Sequence, residues 1–184
     1  MSADVGCIVL AAGSSKRFGS DKRRHQLPSG MTMLEQTLAI LQQVFERRVL
    51  VLRADDADLS IQFANEWHII NAPNAELGMG HSLAAAMQAT QQWNGAVIAL
   101  ADMPWLKTHT LTAIRHALKP DNLVVPFYEG QRGNPVAIGS DYFGRLAALQ
   151  GDSGARQLMQ EFSDRIIQLN VDDAGILQDL DTRP

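Results

Sequence analysis

The sequence predicts an α/β fold: a single domain built on a mostly parallel sheet with helices on both faces. Three observations carry that prediction. Short apolar runs rich in Val, Ile and Leu recur along the chain, stretches with helical spacing separate them, and no repeat, low-complexity tract or Pro/Ser-rich linker interrupts the series. A chain of 184 residues with 46% hydrophobic content can also bury a substantial core without disulfide or metal staples.

The runs short enough for buried strands are residues 5–10, 49–52, 68–70, 96–100, 123–125 and 166–171. The helically spaced stretches are residues 33–45, 82–93, 110–118, 141–149 and 155–162. Strand alternating with helix implies crossover connections and therefore neighbouring strands that run parallel. Ligands of such sheets bind beyond the carboxyl ends of the strands, so the chemistry is expected in the loops that follow them.

Bulk properties narrow the partner. A formal net charge of −4 supplies no global positive field for nucleic acid or an anionic membrane, which leaves a small molecule as the expected ligand. The sole cysteine, Cys7, lies inside the first apolar run and reads as a small buried hydrophobe, so it is neither half of an intrachain disulfide nor a plausible nucleophile. No basic segment followed by an apolar one opens the chain, and no apolar run approaches a membrane span; the expectation is a cytoplasmic protein. The five histidines, His25, His68, His81, His109 and His116, show no metal-ligand spacing with a third candidate ligand.

Charge is uneven along the chain. Lys16, Arg17, Lys22, Arg23 and Arg24 crowd one segment against Asp21, while Asp172, Asp173, Asp179 and Asp181 face only Arg183. This pattern suggests one cationic and one acidic surface meeting at a site; two solvated charge runs are the other reading.

Three post-strand loops carry chemistry. The first expected strand runs into Leu10-Ala11-Ala12-Gly13-Ser14-Ser15-Lys16-Arg17-Phe18-Gly19-Ser20-Asp21-Lys22. Its small residues let backbone N–H groups converge on an anion, Gly13 and Gly19 allow positive-φ geometry, and Arg17 and Lys22 can neutralise phosphate oxygens. It is neither a P-loop nor a G-x-G-x-x-G turn. The second loop, Ala101-Asp102-Met103-Pro104, sets one carboxylate at a strand's end, suited either to a hard cation such as Mg²⁺ or to capping the helix near Thr108. The third, Leu77-Gly78-Met79-Gly80-His81-Ser82-Leu83, opens an Ala-rich helix, with Gly80 and Ser82 as ligand contacts and Ser82 also a candidate N-cap.

The segment from Leu10 to Lys22 resembles the signature L-A-[AG]-G-x-x-x-R-[MF]-G-x-[DN]-K of the molybdenum cofactor nucleotidyltransferases. The resemblance extends nearly to the end of the chain. Ala101-Asp102-Met103-Pro104 resembles the family's A-D-M-P element, and Asp179-Leu180-Asp181-Thr182 resembles D-[IL]-D-T-P, with Arg183 in place of the Pro and the chain ending where relatives continue. The third loop resembles G-M-[SGA]-x-S-[LI]. Arg132-Gly133-Asn134-Pro135 and Gly151-Asp152-Ser153-Gly154-Ala155-Arg156 resemble G-x-P-[VA] and G-D-x-G-[AV]-R.

The resemblance implies a Rossmann-like domain of the nucleotide-diphospho-sugar transferase type. It implies that Leu10, Ala11, Ala12, Gly13, Gly80 and Ser82 hold the nucleotide, and that Lys22 and Arg17 contact the triphosphate. Asp102, joined by Asp181, would bind Mg²⁺, or Mn²⁺ in its place. Asn134, Asp152 and Arg156 fall on the acceptor side, where Arg156 and Arg132 are able to fork onto phosphate or stack on a pterin.

The implied reaction moves CMP, or less readily GMP, from a nucleoside triphosphate to a molybdopterin-type acceptor and releases pyrophosphate. Ala12, where the guanylyl branch commonly has Gly, leans towards CTP. An acceptor phosphate is already anionic, so direct displacement needs charge management rather than a strong base. Two other readings stay open: the same chemistry on a sugar phosphate or phospholactate, and a non-catalytic accessory protein that delivers cofactor to a client molybdoenzyme. Trp105-Leu106 is a candidate partner surface or a buried pair.

Overall fold

The computed structural model describes residues 4–13, 19–151 and 154–179. An eight-stranded mixed sheet, mostly parallel, runs through the molecule. The strands are β1 (Val5–Leu10), β2 (Arg48–Arg53), β3 (His68–Ala72), β4 (Gly95–Leu100), β5 (Leu123–Tyr128), β6 (Gln131–Arg132), β7 (Val136–Gly139) and β8 (Ile166–Asn170). Their spatial order is β3-β2-β1-β4-β7-β5-β6, with β8 paired to β5. The helices are α1 (Met33–Leu41), α2 (Ala57–Phe63), α3 (Met79–Met87), α4 (Thr108–Ala117), α5 (Phe143–Ala147) and α6 (Ala155–Glu161).

β1 is buried along its whole length because it lies between β2 and β4, parallel to both, with helices on either face. Its side chains alternate between two cores. Cys7 and Val9 face Leu34, Leu38 and Leu41 of α1 and Leu111 and Ile114 of α4. Ile8 and Leu10 face Leu83, Ala86 and Met87 of α3, together with Leu146 of α5 and Leu158 of α6. Helices on both faces are therefore the direct consequence of strands apolar on both sides.

Local chemistry sets the ends of the helices. Thr32 and Glu35 form a reciprocal capping box at α1: Glu35 N donates to Thr32 Oγ1 at 3.2 Å, and Thr32 N donates to Glu35 Oε2 at 2.8 Å. Those bonds hold the Glu35 carboxyl below the usual range. α3 starts at Met79, earlier than its spacing suggests, because Gly78 takes the N-cap position at φ 125°. Ser82 is therefore inside the helix and is not its cap. α1 stops at Leu41, short of Phe45, and the chain turns there before β2.

Three elements escape the sequence pattern. α2 buries only Leu59 and Phe63, too few positions to show a helical period. β7 is a four-residue run between Pro135 and Ser140, and it pairs antiparallel with both β4 and β5, which makes the sheet mixed. β6 is a two-residue return strand paired antiparallel with β5.

The connections create the crevice. β1, β2 and β3 progress outward in one direction, and α3 then carries the chain back across the opposite face to β4 on the other side of β1. The carboxyl ends of β1 and β4 thus flank the switch point of the sheet, where loops diverge and leave space.

The C-terminal segment braces this region. Asp173 is fully buried and accepts hydrogen bonds from Lys107 N and Gly175 N, both at 2.9 Å. Asn134 N donates to Ile176 O at 2.9 Å, and a Cβ on Gly175 would collide with the Trp105 carbonyl. Asp173 is therefore not part of an acidic surface; it ties the chain beyond Asp102 to the β6 region. Among the described residues no helix is long and apolar enough to cross a membrane.

Replacing Asp173 with Ala would leave two amide donors without their acceptor and is expected to cost about 3 kcal/mol, lowering the melting midpoint by roughly 6–12 °C. A thermal melt of Asp173→Ala superimposable on the parent's would refute this bracing role.

Candidate functional site

The loop leaving β1 is anchored at its root. Ala11 N donates to Val51 O at 2.9 Å, continuing the β1–β2 ladder by one residue. Beyond it, no hydrogen bond to the amides of Ala12 and Gly13 is found among the described residues. Among the described residues, a Cβ on Gly13 would meet nothing within 4 Å. Gly19 has the expected positive φ, 74°, whereas Gly13 does not.

Lys22 opens a 3₁₀ turn, Lys22–Arg24, capped by the Asp21 side chain, which accepts from Arg23 N at 3.2 Å. From this turn Lys22 Nζ reaches across the crevice to pair with Asp102 Oδ2, at the end of β4. The partners lie 80 residues apart in sequence and meet at the switch point, both largely buried. Asp102 does not cap α4, whose N-cap position is Lys107.

Arg23 is the feature that the sequence pattern conceals. It is 3% exposed, and each of its five N–H donors has an acceptor. Nε donates to Asp21 Oδ1 at 2.8 Å; Nη1 donates to the Ala11 carbonyl at 2.8 Å and to Asp56 Oδ2 at 2.5 Å; Nη2 donates to Asp21 Oδ2 and Asp56 Oδ1, both at 2.7 Å. Burial opposes the charge, but the hydrogen bonds to Asp56 and Asp21 prevail and hold the guanidinium pKa above its ordinary value. Asp56 also accepts from Arg53 N at 2.9 Å, at the end of β2.

The described part of the expected cationic surface, Lys22 to Arg24, is therefore compensated. Arg23 is buried among acids, Arg24 pairs with Asp58 at 2.6 Å, and Lys22 pairs with Asp102. Arg17 lies outside the described residues. So do Asp152 and Asp181.

Gly80 and Ser82 sit in the first turns of α3, and both are buried. Gly80 N donates to Gly151 O at 2.8 Å, and a Cβ there would lie 2.8 Å from the same oxygen. Glycine is thus required because the Gly151 loop rests on the helix, and the Gly80 amide is already spent on that contact. On the far side of the crevice, Asn134 is half-buried next to Pro135, while Arg132 and Arg156 are exposed. Burial, and then the charge of Arg156, lower the Arg132 pKa from the ordinary arginine value. Trp105 is 42% exposed while Leu106 is buried, so the pair divides between surface and core.

Among the described residues no group of three His, Cys, Asp or Glu side chains is placed to hold a metal ion. A lone carboxylate suffices for Mg²⁺ or Mn²⁺ when substrate phosphates and water complete the shell, so Asp102 fits such an ion without a protein cage.

Residues 7–166 match the MobA-like NTP transferase domain. The chain belongs to that family. It is 26% identical to the molybdenum cofactor cytidylyltransferase of Escherichia coli over 97% of this chain and 91% of that protein. It is 24% identical to the nicotine blue oxidoreductase of Paenarthrobacter nicotinovorans over 97% and 94% of the two chains. Among solved structures, a Mycobacterium tuberculosis H37Rv protein is 28% identical, with a TM-score of 0.84 over 99% of this chain and 94% of that one. The same mycobacterial protein in complex with manganese aligns at 26% identity and a TM-score of 0.73, over 91% and 88%. Membership of this family makes the protein a nucleotidyltransferase.

Cys7 takes no part in the chemistry. Burial pushes its thiol far above the usual range, and no part of the residue reaches solvent. A thiol reagent such as dithionitrobenzoate at pH 8 is expected to leave the folded protein unlabelled and to modify Cys7 fully in urea; rapid labelling of the native state would contradict this placement.

Proposed function

We propose that this nucleotidyltransferase moves CMP from CTP to the phosphate of a molybdopterin-type cofactor and releases pyrophosphate, with Mg²⁺, or Mn²⁺ in its place, as the metal. The observation that carries the reading is the meeting of Lys22 and Asp102 across the β1–β4 crevice. The cytidylyl and molybdopterin assignments draw support from the Escherichia coli relative and from Ala12 in the loop.

In this reading the backbone of Leu10, Ala11, Ala12 and Gly13 holds the nucleotide, the amides of Ala12 and Gly13, which have no acceptor among the described residues, donating to it. The Ala11 amide and carbonyl are committed to Val51 and Arg23, so Ala11 acts by shape rather than by donation. Gly80 and Ser82 line the same space from α3.

Asp102, with Asp181, holds the cation. That ion would polarise the triphosphate and offset charge on its oxygens. Lys22 and Arg17 offset the charge that develops at the α-phosphate and on departing pyrophosphate. Paired with each other across the crevice, Lys22 and Asp102 are placed to meet an anion and a cation respectively. Asn134, Asp152 and Arg156, with Arg132, receive the acceptor. Its phosphate attacks directly, without a covalent enzyme intermediate. The chain works as a single cytoplasmic domain and hands its product to a client molybdoenzyme.

Pyrophosphate release should be measured with Mg²⁺ and molybdopterin-type cofactor against CTP, GTP, ATP and UTP. CTP alone is expected to turn over, with Lys22→Met and Asp102→Ala each reducing kcat by about 10²–10³-fold. Turnover with GTP would overturn the base assignment, and turnover only with a sugar phosphate would overturn the acceptor. Nucleotide binding without any release would replace transfer by the accessory-protein reading.

A further inference from the structure

Lys22 is one residue in a segment held at both of its neighbours. Asp21 and Arg23 grip each other through two side-chain hydrogen bonds, and both are tied to β2, Arg23 through Asp56 and Asp21 through Arg53 Nη2 at 3.1 Å. Arg23 also grips β1 through the Ala11 carbonyl. A single guanidinium therefore sets the height of the Lys22 turn against the strand ends that form the crevice.

We propose that Arg23 is a positioning residue for nucleotidyl transfer: clamped between Asp21 and Asp56, it fixes the point from which Lys22 reaches Asp102 and the triphosphate. The proposal rests on the nucleotidyl-transfer reading. Arginine is required because only its planar fork serves two carboxylates and a carbonyl at once; a lysine ammonium has three donors and no fork. Stability alone would not call for this cluster, since a buried ionic group is often matched or bettered by apolar residues of similar volume. What the cluster adds is a fixed geometry, and a misplacement of about 1 Å near a reacting centre costs about 100-fold in rate.

The test uses Arg23→Lys, which keeps the charge and loses the fork, and Asp56→Asn, which loosens the clamp from the β2 side. The first readout is acetylation of Lys22 by an N-hydroxysuccinimide ester, followed by peptide mass spectrometry with exposed Lys119 as the internal standard. The second is kcat and KM for pyrophosphate release. In both variants Lys22 should acetylate several-fold faster relative to Lys119, kcat should fall by about 10-fold or more, and KM for the nucleotide should stay within about threefold.

Parental acetylation and kcat in either folded variant would overturn the proposal. Loss of the folded circular dichroism signal in both variants would assign Arg23 to stability and overturn it equally. A parent that releases no pyrophosphate would defeat the transfer reading alone, because Lys22 acetylation still decides whether Arg23 positions it.

Discussion

A guanidinium buried between two carboxylates organises the working end of this fold. Removing an arginine such as Arg23 from water is costly, and the cost is met only because every N–H finds an oxygen. Those oxygens come from three places: the end of β1, the turn before Lys22 and the loop after β2. The ion therefore cannot be satisfied unless all three are correctly placed, and breaking one side of such a cluster costs about 3–5 kcal/mol. Satisfying Arg23 and shaping the crevice are the same event.

The second constraint comes from strand order. Since α3 returns the chain across the opposite face to β4, the loops after β1 and β4 diverge instead of packing together. A lysine on one and a carboxylate on the other can then oppose each other across a gap. The C-terminal segment completes the arrangement from outside: Asp173 holds Lys107 N just beyond the Asp102 loop, and Ile176 O holds Asn134 N. Family membership makes the protein a nucleotidyltransferase, and this arrangement sets a cation and a carboxylate on the two sides of the crevice.

Legibility varied with the range of the interaction concerned. β1 is legible with its full bounds because its apolarity is continuous, and that continuity is what a strand buried on both faces requires. Lys22 and Asp102 were legible as candidates because each sits in a loop after an apolar run. β7 and α2 were not, since four residues or two buried positions carry too little period to register. The charge runs misled in a particular way: Arg23 and Asp173 look like surface residues in a polar stretch, yet both are interior. Asp56 gave a faint signal, as an acid just beyond a strand, but nothing nearby in sequence names its partner.

The sequence by itself determined the α/β class, the central strands and the candidate loops for the chemistry, because these depend on local periodicity and on residue types at strand ends. Tertiary structure alone decided which charges meet: Arg23 with Asp56 across 33 positions, Lys107 with Asp173 across 66, and Lys22 with Asp102 across 80. The physical reason is desolvation. A charge written in the sequence stays in water by default, and it enters the interior only where the fold brings a partner to replace that water.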